Sequence, residues 1–192
     1  MKRHLALALI LTAPLLLQGC GEGGHKLIDP PAFVYPDQST PKNTLLRMAA
    51  AVERRDSVVT ASVYADGYEG SSSDLTDPNS TTLQFFKSDE VRAVGEMARS
   101  NSIHLIEMDL GVTAGWLQYH NVSDPVGWVT IQIPNFQIYV NDTVEGEYRT
   151  SSPTQGETHV FEFTLKPTTP DPTSPTDTTW TIIQWVESRA SL

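Results

Sequence analysis

Residues 127–141 read Gly127-Trp128-Val129-Thr130-Ile131-Gln132-Ile133-Pro134-Asn135-Phe136-Gln137-Ile138-Tyr139-Val140-Asn141. Before Pro134 the apolar side chains fall on odd positions: Val129, Ile131 and Ile133. After it they fall on even ones: Phe136, Ile138 and Val140. A period of two marks a strand with one buried face. A parity change at a proline marks a bulge or bend, because proline cannot donate to the strand ladder. The stretch therefore predicts β-structure that curves.

The same period runs outward on both sides. Ile103 to Leu110 reads as a strand. Glu157 to Lys166 alternates, with Phe161, Phe163 and Leu165 on one side. Trp180 to Glu187 alternates again, placing Ile183 and Trp185 on one side and Trp180, Ile182 and Val186 on the other. Residues 167–179 between these two strands are rich in Pro, Thr and Asp. Their flanks still pair as a hairpin, so this is a loop and not a domain boundary.

Upstream of Ser102 the period changes to that of helices. Thr40-Pro41 is an N-cap followed by Pro at the first helical position. Leu45, Met48, Ala49 and Val52 then form one apolar stripe. Asp56 caps a second, short helix through Val59, Val63 and Tyr64. Ala65-Asp66-Gly67-Tyr68 ends it, with Gly67 as the helix stop. Gly70 to Thr82 is polar and reads as a loop, with at most a short strand near Tyr68. A third helix starts at Ser88, with Asp89 and Glu90 in its first turn. Val91, Val94 and Met97 face inward, and it stops near Ser100. Helices first and strands after give the α+β class.

The chain has 192 residues, 23 acidic and 13 basic, for a formal charge of −10. That length fits one domain. The acidic balance argues against nucleic acid, whose phosphates need clustered Lys and Arg. A single cysteine excludes an internal disulfide and a Cys-based zinc site. His25, His104, His120 and His159 lie at no metal-ligand spacing, so no metal is expected. No phosphate loop or other cofactor motif is present, so no cofactor is expected either.

Lys2, Arg3 and His4 precede an apolar run from Leu5 to Leu17, too short to span a bilayer but right for a secretory leader. It ends in Leu17-Gln18-Gly19-Cys20. This resembles the lipobox of bacterial lipoproteins. The resemblance implies a signal peptide over 1–19 and diacylglycerol with a further acyl chain such as palmitate on Cys20. Membrane lipid is then a partner through Cys20, and two or more chains hold a protein firmly, at about 0.8 kcal/mol per buried methylene. Gly21 after the cysteine, where retained lipoproteins carry Asp, implies a cell envelope location at the outer membrane. Losing Lys2 and Arg3 with the leader leaves 23 acids against 11 bases, so the body does not dock flat on anionic lipid. Residues 20–39, with Gly21, Gly23, Gly24, Pro30, Pro31 and Pro36, read as a tether. Residues 40–192 read as the domain.

Three segments carry a second resemblance. Residues 41–55 resemble the long first helix of the NTF2-like (SnoaL-like, ketosteroid isomerase-like) family, ending in the charged turn Arg54-Arg55-Asp56. Tyr64-Ala65-Asp66-Gly67-Tyr68 is similar to that family's exit from its second helix. Trp180-Thr181-Ile182-Ile183-Gln184-Trp185-Val186-Glu187 looks like its last strand. With the element order, the resemblance covers about residues 40–190. It implies helices held in a strongly curved antiparallel sheet, with a cone-shaped pocket between them.

Within that frame the catalytic candidates are His104, Asp66 and Tyr64, and the pocket residues are Tyr64, His104 and Phe136. His104 shares strand parity with Ile106, Met108 and Leu110, which makes it a pocket base if that face is inward. A rim histidine is the plainer reading. Asp66 fits either a general base at the pocket mouth or a helix-end turn. Tyr64 and Tyr68 can donate to an oxyanion or pack with hydroxyls at the rim. Asp74 stands where ketosteroid isomerases carry their catalytic Asp, but Ser71-Ser72-Ser73 before it lacks apolar alternation.

Two functions are expected. The first is noncatalytic: an anchored domain that binds a small apolar ligand or an envelope protein, with a homodimer through the open sheet face. Trp116, Tyr119, Trp128 and Trp180 are the aromatics for such a surface. The alternative is an isomerase-like enzyme acting on a hydrophobic molecule. An open cone holding His104 or Asp66 favours a ligand site. A cone filled by Phe136, Phe161, Phe163 and Trp185, with both residues on the surface, ends the enzyme reading and turns attention to protein partners.

Overall fold

The structure, a computed structural model, describes residues 32–77, 79–134, 136–149, 157–168 and 178–191. The expected leader, Cys20, the first part of the tether and loop residues 169–177 lie outside the described residues.

Helix α1 (Pro41–Glu53) starts as its sequence dictates: the Thr40 hydroxyl accepts from the Asn43 N–H at 3.1 Å, and Pro41 occupies the first turn. It ends with Arg55 at φ 57°. The Arg55 N–H bonds the Val52 carbonyl and the Asp56 N–H bonds the Ala51 carbonyl, each at 2.9 Å. This is the Schellman arrangement, with arginine where glycine is usual. Asp56 immediately caps α2 (Ser57–Val63), accepting from the N–H groups of Val58 and Val59. Helix α3 (Lys87–Arg99) carries half of a capping box. The Asp89 carboxylate accepts from the Phe86 N–H at 2.9 Å, and Phe86 has no side-chain acceptor to return the bond.

Among the described residues, nine strands follow or separate these helices: β1 (Tyr64–Asp74), β2 (Leu83–Phe86), β3 (Ile103–Asp109), β4 (Leu117–Tyr119), β5 (Val129–Ile133), β6 (Gln137–Asp142), β7 (Gly146–Arg149), β8 (Glu157–Pro167) and β9 (Trp180–Ser191). They form a six-stranded sheet in the order β2-β1-β9-β8-β5-β4 and a three-stranded one in the order β3-β6-β7. The fold is α+β. All pairs are antiparallel except β1 with β9, which run parallel. The expected wholly antiparallel sheet is thus mixed, because the first strand and the last close the sheet side by side.

Four local expectations change. The long strand over residues 127–141 is two strands in different sheets. Its parity switch at Pro134 is the passage from β5 to β6. The polar stretch after Tyr68 is not a loop: β1 runs through it to Asp74, because its neighbours β2 and β9 supply the ladder on both edges. Gly67 lies in that strand and stops no helix; α2 ends at Val63. In β9, Leu165 pairs with Ile182 and Thr164 with Gln184, so Ile183 is an inserted bulge residue. The bulge puts Ile182 and Trp185 on the same buried face, against the simple alternation.

The core lies between the helices and the concave faces of the sheets. It contains Leu45, Met48 and Val52 from α1, Ile131 and Ile133 from β5, and Phe161, Phe163 and Leu165 from β8, all under 10% exposed. Residues 35–39 are bound to this body. The Trp180 N–H donates to the Gln38 carbonyl at 2.9 Å, and the Gln38 amide returns a bond to the Trp180 carbonyl at 2.8 Å. Tyr35 donates to Asp56, and Arg47 donates to the Pro36 carbonyl.

Candidate functional site

Strand register brings one glycine between two aromatic residues. Gly70 on β1 stands opposite Phe85 on β2 and opposite Trp185 on β9. A Cβ at Gly70 would collide with the Phe85 ring. Its absence lets the Phe85 and Trp185 rings meet edge to face, with centroids 5.8 Å apart. Helix α3 crosses beside them and adds Asp89, Glu90 and Ala93. Together with Glu187 these residues line a cleft of about 270 Å³. That volume is at the small end for ligand sites.

Two features make the cleft chemically unusual. Trp185 is 8% exposed, and its indole Nε1 is buried without an acceptor among the described residues. A buried donor left unpaired costs roughly 1–3 kcal/mol. Glu90 is half-buried, and its Oε1 accepts from the Tyr68 hydroxyl at 3.1 Å. Burial pushes the Glu90 carboxyl up to about 7, with the Asp89 charge adding to the rise and the Tyr68 hydrogen bond pulling against it. Burial likewise pushes the Tyr68 and Tyr64 phenols up, with the Glu90 charge adding to both. Near neutral pH the cleft wall is therefore a carboxyl close to half ionisation, held by a phenol that stays protonated.

Glu187 also borders a second, more polar cavity of about 190 Å³, lined by Asp74, Tyr148, His159 and Arg189 among others. There Glu187 Oε1 lies 2.9 Å from His159 Nε2, and the His159 ring stacks near Phe161 with centroids 4.3 Å apart. A larger concavity, about 640 Å³, is a separate groove lined by Asp66, Phe86, Lys87 and Val91 among others.

Of the residues chosen from sequence, Tyr64 and Asp66 line one cavity of about 350 Å³ with Lys87 and Lys166, and His104 and Phe136 are not among its lining residues. His104 is exposed. Between Ile103 and Leu105 the β3–β6 register slips, so His104 sits at an irregularity and does not share the inward face of Ile106 and Met108. Asp66 is fully exposed and bonds Lys87 at 2.9 Å. That hydrogen bond and the Lys87 charge hold its carboxyl below the usual range, so it is an ionised surface group. Tyr64 is buried, its ring 4.3 Å from that of Tyr68. Phe136 is buried against Phe161 and Trp185, at 4.5 and 5.7 Å between centroids. Phe136, Phe161, Phe163 and Trp185 thus fill the interior expected to be an open cone. The cleft described above borders this cluster at Trp185. Trp116, expected at an interaction surface, is buried and donates to the Leu110 carbonyl at 2.8 Å.

Sequence reasoning missed Glu90 and Gly70. Glu90 reads as a first-turn acid favoured by the helix dipole, although its spacing of four to Val94 and seven to Met97 puts it on the inward face. Tyr68, four residues after Tyr64, was the available signal, because a buried phenol needs a partner. Gly70 opens a stretch with no apolar alternation, so nothing local marks it as strand.

No protein-family model matches the chain, and no curated protein matches it. A conserved protein from Planctomyces limnophilus is similar in backbone over 79% of this chain and 94% of its own, with a TM-score of 0.50 and 11% identity. An NTF2-like protein with a cystatin-like fold from Novosphingobium aromaticivorans is similar over 79% and 80%, with a TM-score of 0.45 and 10% identity. A ketosteroid isomerase-like protein from Erwinia carotovora is similar over 81% and 97%, with a TM-score of 0.43 and 11% identity. At these identities the likeness is one of fold alone. Helices ahead of bent sheets, in the order described above, are what the NTF2-like resemblance implies, and the chemistry of the cleft rests on this chain's own residues.

Proposed function

We propose that this chain is an envelope lipoprotein, anchored at the outer membrane through acylated Cys20, whose NTF2-like domain binds a small apolar ligand in the cleft between β2, α3 and β9. The observation that carries the binding reading is the cleft itself, a recess walled by the aromatic side chains of Phe85 and Trp185. Apolar walls with a few polar groups are what small-molecule sites share. Binding without turnover is the reading that accords with an interior filled by Phe136, Phe161, Phe163 and Trp185 and with His104 and Asp66 at the surface.

Calorimetric titration of the full chain with 4-phenylbutan-1-ol, an apolar molecule with one acceptor oxygen, tests the binding reading. Saturable binding that weakens in Trp185→Phe is expected, and no heat above dilution counts against it. Labelling with a palmitate analogue tests the anchor: incorporation that disappears in Cys20→Ser is expected, and incorporation unchanged by that substitution overturns the assignment.

A further inference from the structure

Helix α1 ends on a strained arginine. Arg55 holds φ 57°, a position where glycine is usual. Strain of this kind persists where the side chain is used. Arg54 beside it is exposed. Arg99, exposed on α3, reaches the same turn: a Cβ at Gly95 would lie 3.5 Å from the Arg99 guanidinium and 3.8 Å from Ser57. Arg55 and Arg99 have no carboxylate partner among the described residues. The acids nearby are mostly occupied. Asp56 accepts from Tyr35, Val58 and Val59, Asp37 from Ser39 and Asn43, and Glu53 from the Met108 N–H at 3.0 Å. Glu96, exposed one turn before Arg99, offsets part of the positive charge.

The chain arriving from Cys20 meets the body at this turn, since Tyr35 donates to Asp56. At most about 50 Å of extended chain separates Cys20 from Val34. Exposed apolar side chains stand at the same entry. Val34, one residue before Tyr35, is 85% exposed, and Val58, two after Asp56, is 79% exposed. Guanidinium groups beside isolated apolar side chains suit a bilayer interface. There arginine bonds lipid phosphate, and small apolar groups enter the boundary between headgroups and acyl chains.

We infer that this pole, formed by Arg54, Arg55, Arg99, Val34 and Val58, seats on the anionic headgroups of the membrane that holds the anchor. This orientation rests on the acylation of Cys20 proposed above and adds how the body stands on the surface. The net charge of −10 opposes adhesion by the body as a whole, so one pole makes the contact. The strap residue Gln38 bonds Trp180 at the near end of β9, and Leu75 bonds Arg189 at the far end. The far end is turned to solvent.

The test uses the acylated full chain in vesicles of phosphatidylcholine alone or mixed equally with phosphatidylglycerol. Acylation occupies Cys20, so Val58→Cys supplies a thiol for an environment-sensitive dye. Leu75→Cys, at the far end of β9, is the control. Acrylamide quenching of the dye on Val58→Cys is expected to fall by about threefold or more when phosphatidylglycerol is present. Quenching on Leu75→Cys is expected to stay unchanged. Arg55→Gly, added to Val58→Cys, is expected to remove most of the protection. Glycine suits the left-handed position, so that loss does not come from misfolding. Three results each overturn the inference while the anchor stands: equal quenching on Val58→Cys in both vesicles, equal protection on Leu75→Cys, or protection untouched by Arg55→Gly. Protein that floats with neither vesicle refutes the anchor, and the orientation falls with it.

Discussion

Two carboxylates show how local surroundings set the behaviour of one side-chain type. Asp56 caps α2 and also accepts from the Tyr35 hydroxyl at 2.9 Å. Its hydrogen bonds, that from the Val59 N–H first, hold its carboxyl below the usual range. The stability it supplies is present above the unfolded carboxylate value and is lost as pH falls through the folded one. Asp56→Ala is expected to cost about 1–2 kcal/mol at pH 7, with the gap to wild type closing towards pH 2; urea unfolding at both values measures it. Glu90 has the opposite sign. Its folded carboxyl titrates at about 7 against an ordinary 4.5, so the folded state holds the extra proton between those values and stability falls as pH rises through them. Glu90→Gln should match wild type at pH 5 and exceed it at pH 8 by about 1–2 kcal/mol. Equal pH dependence in the two proteins would show that Glu90 is not shifted.

At the scale of elements, the site depends on a strand that has no apolar pattern. β1 is held by its neighbours, and Gly70 in it makes room for Phe85 beside Trp185. Gly70→Ala is expected to displace the Phe85 ring and cost about 1–3 kcal/mol, with loss of probe binding at the cleft; unchanged binding would place the site elsewhere. The turn between α1 and α2 offers a converse case. Arg55 holds a left-handed conformation that disfavours any side chain. Arg55→Gly should raise stability by about 0.5–1 kcal/mol, read as an increased denaturation midpoint. The helices themselves were legible, because Thr40-Pro41 and Asp56 are local signals. The strands were legible in period but not in partner. The switch of sheets at Pro134 showed as a parity change. The bulge at Ile183 did not, since Ile182, Ile183 and Val186 are apolar on both sides of it.

For the whole molecule, the order of elements carried the α+β class from sequence, and the site was much less legible. Its parts come from β1, β2, α3 and β9, so nothing in one stretch announces them. His104 and Asp66 were drawn to notice by residue type and parity, and burial then put both in water. Phe136 and Trp185, read as core or pocket, share one aromatic cluster that fills the interior and leaves the cleft at its edge. The parallel closure of β9 on β1 sets that geometry, since it places Trp185 and Glu187 across from Gly70 and Ser72. The central claim is that this edge cleft holds a small molecule. A crystal structure of the full chain grown with 4-phenylbutan-1-ol tests it most directly. The account predicts the phenyl ring packed in the cleft against Phe85 and Trp185. A cleft closed by its own side chains, with the alcohol instead in the groove at Asp66 and Lys87, would contradict it.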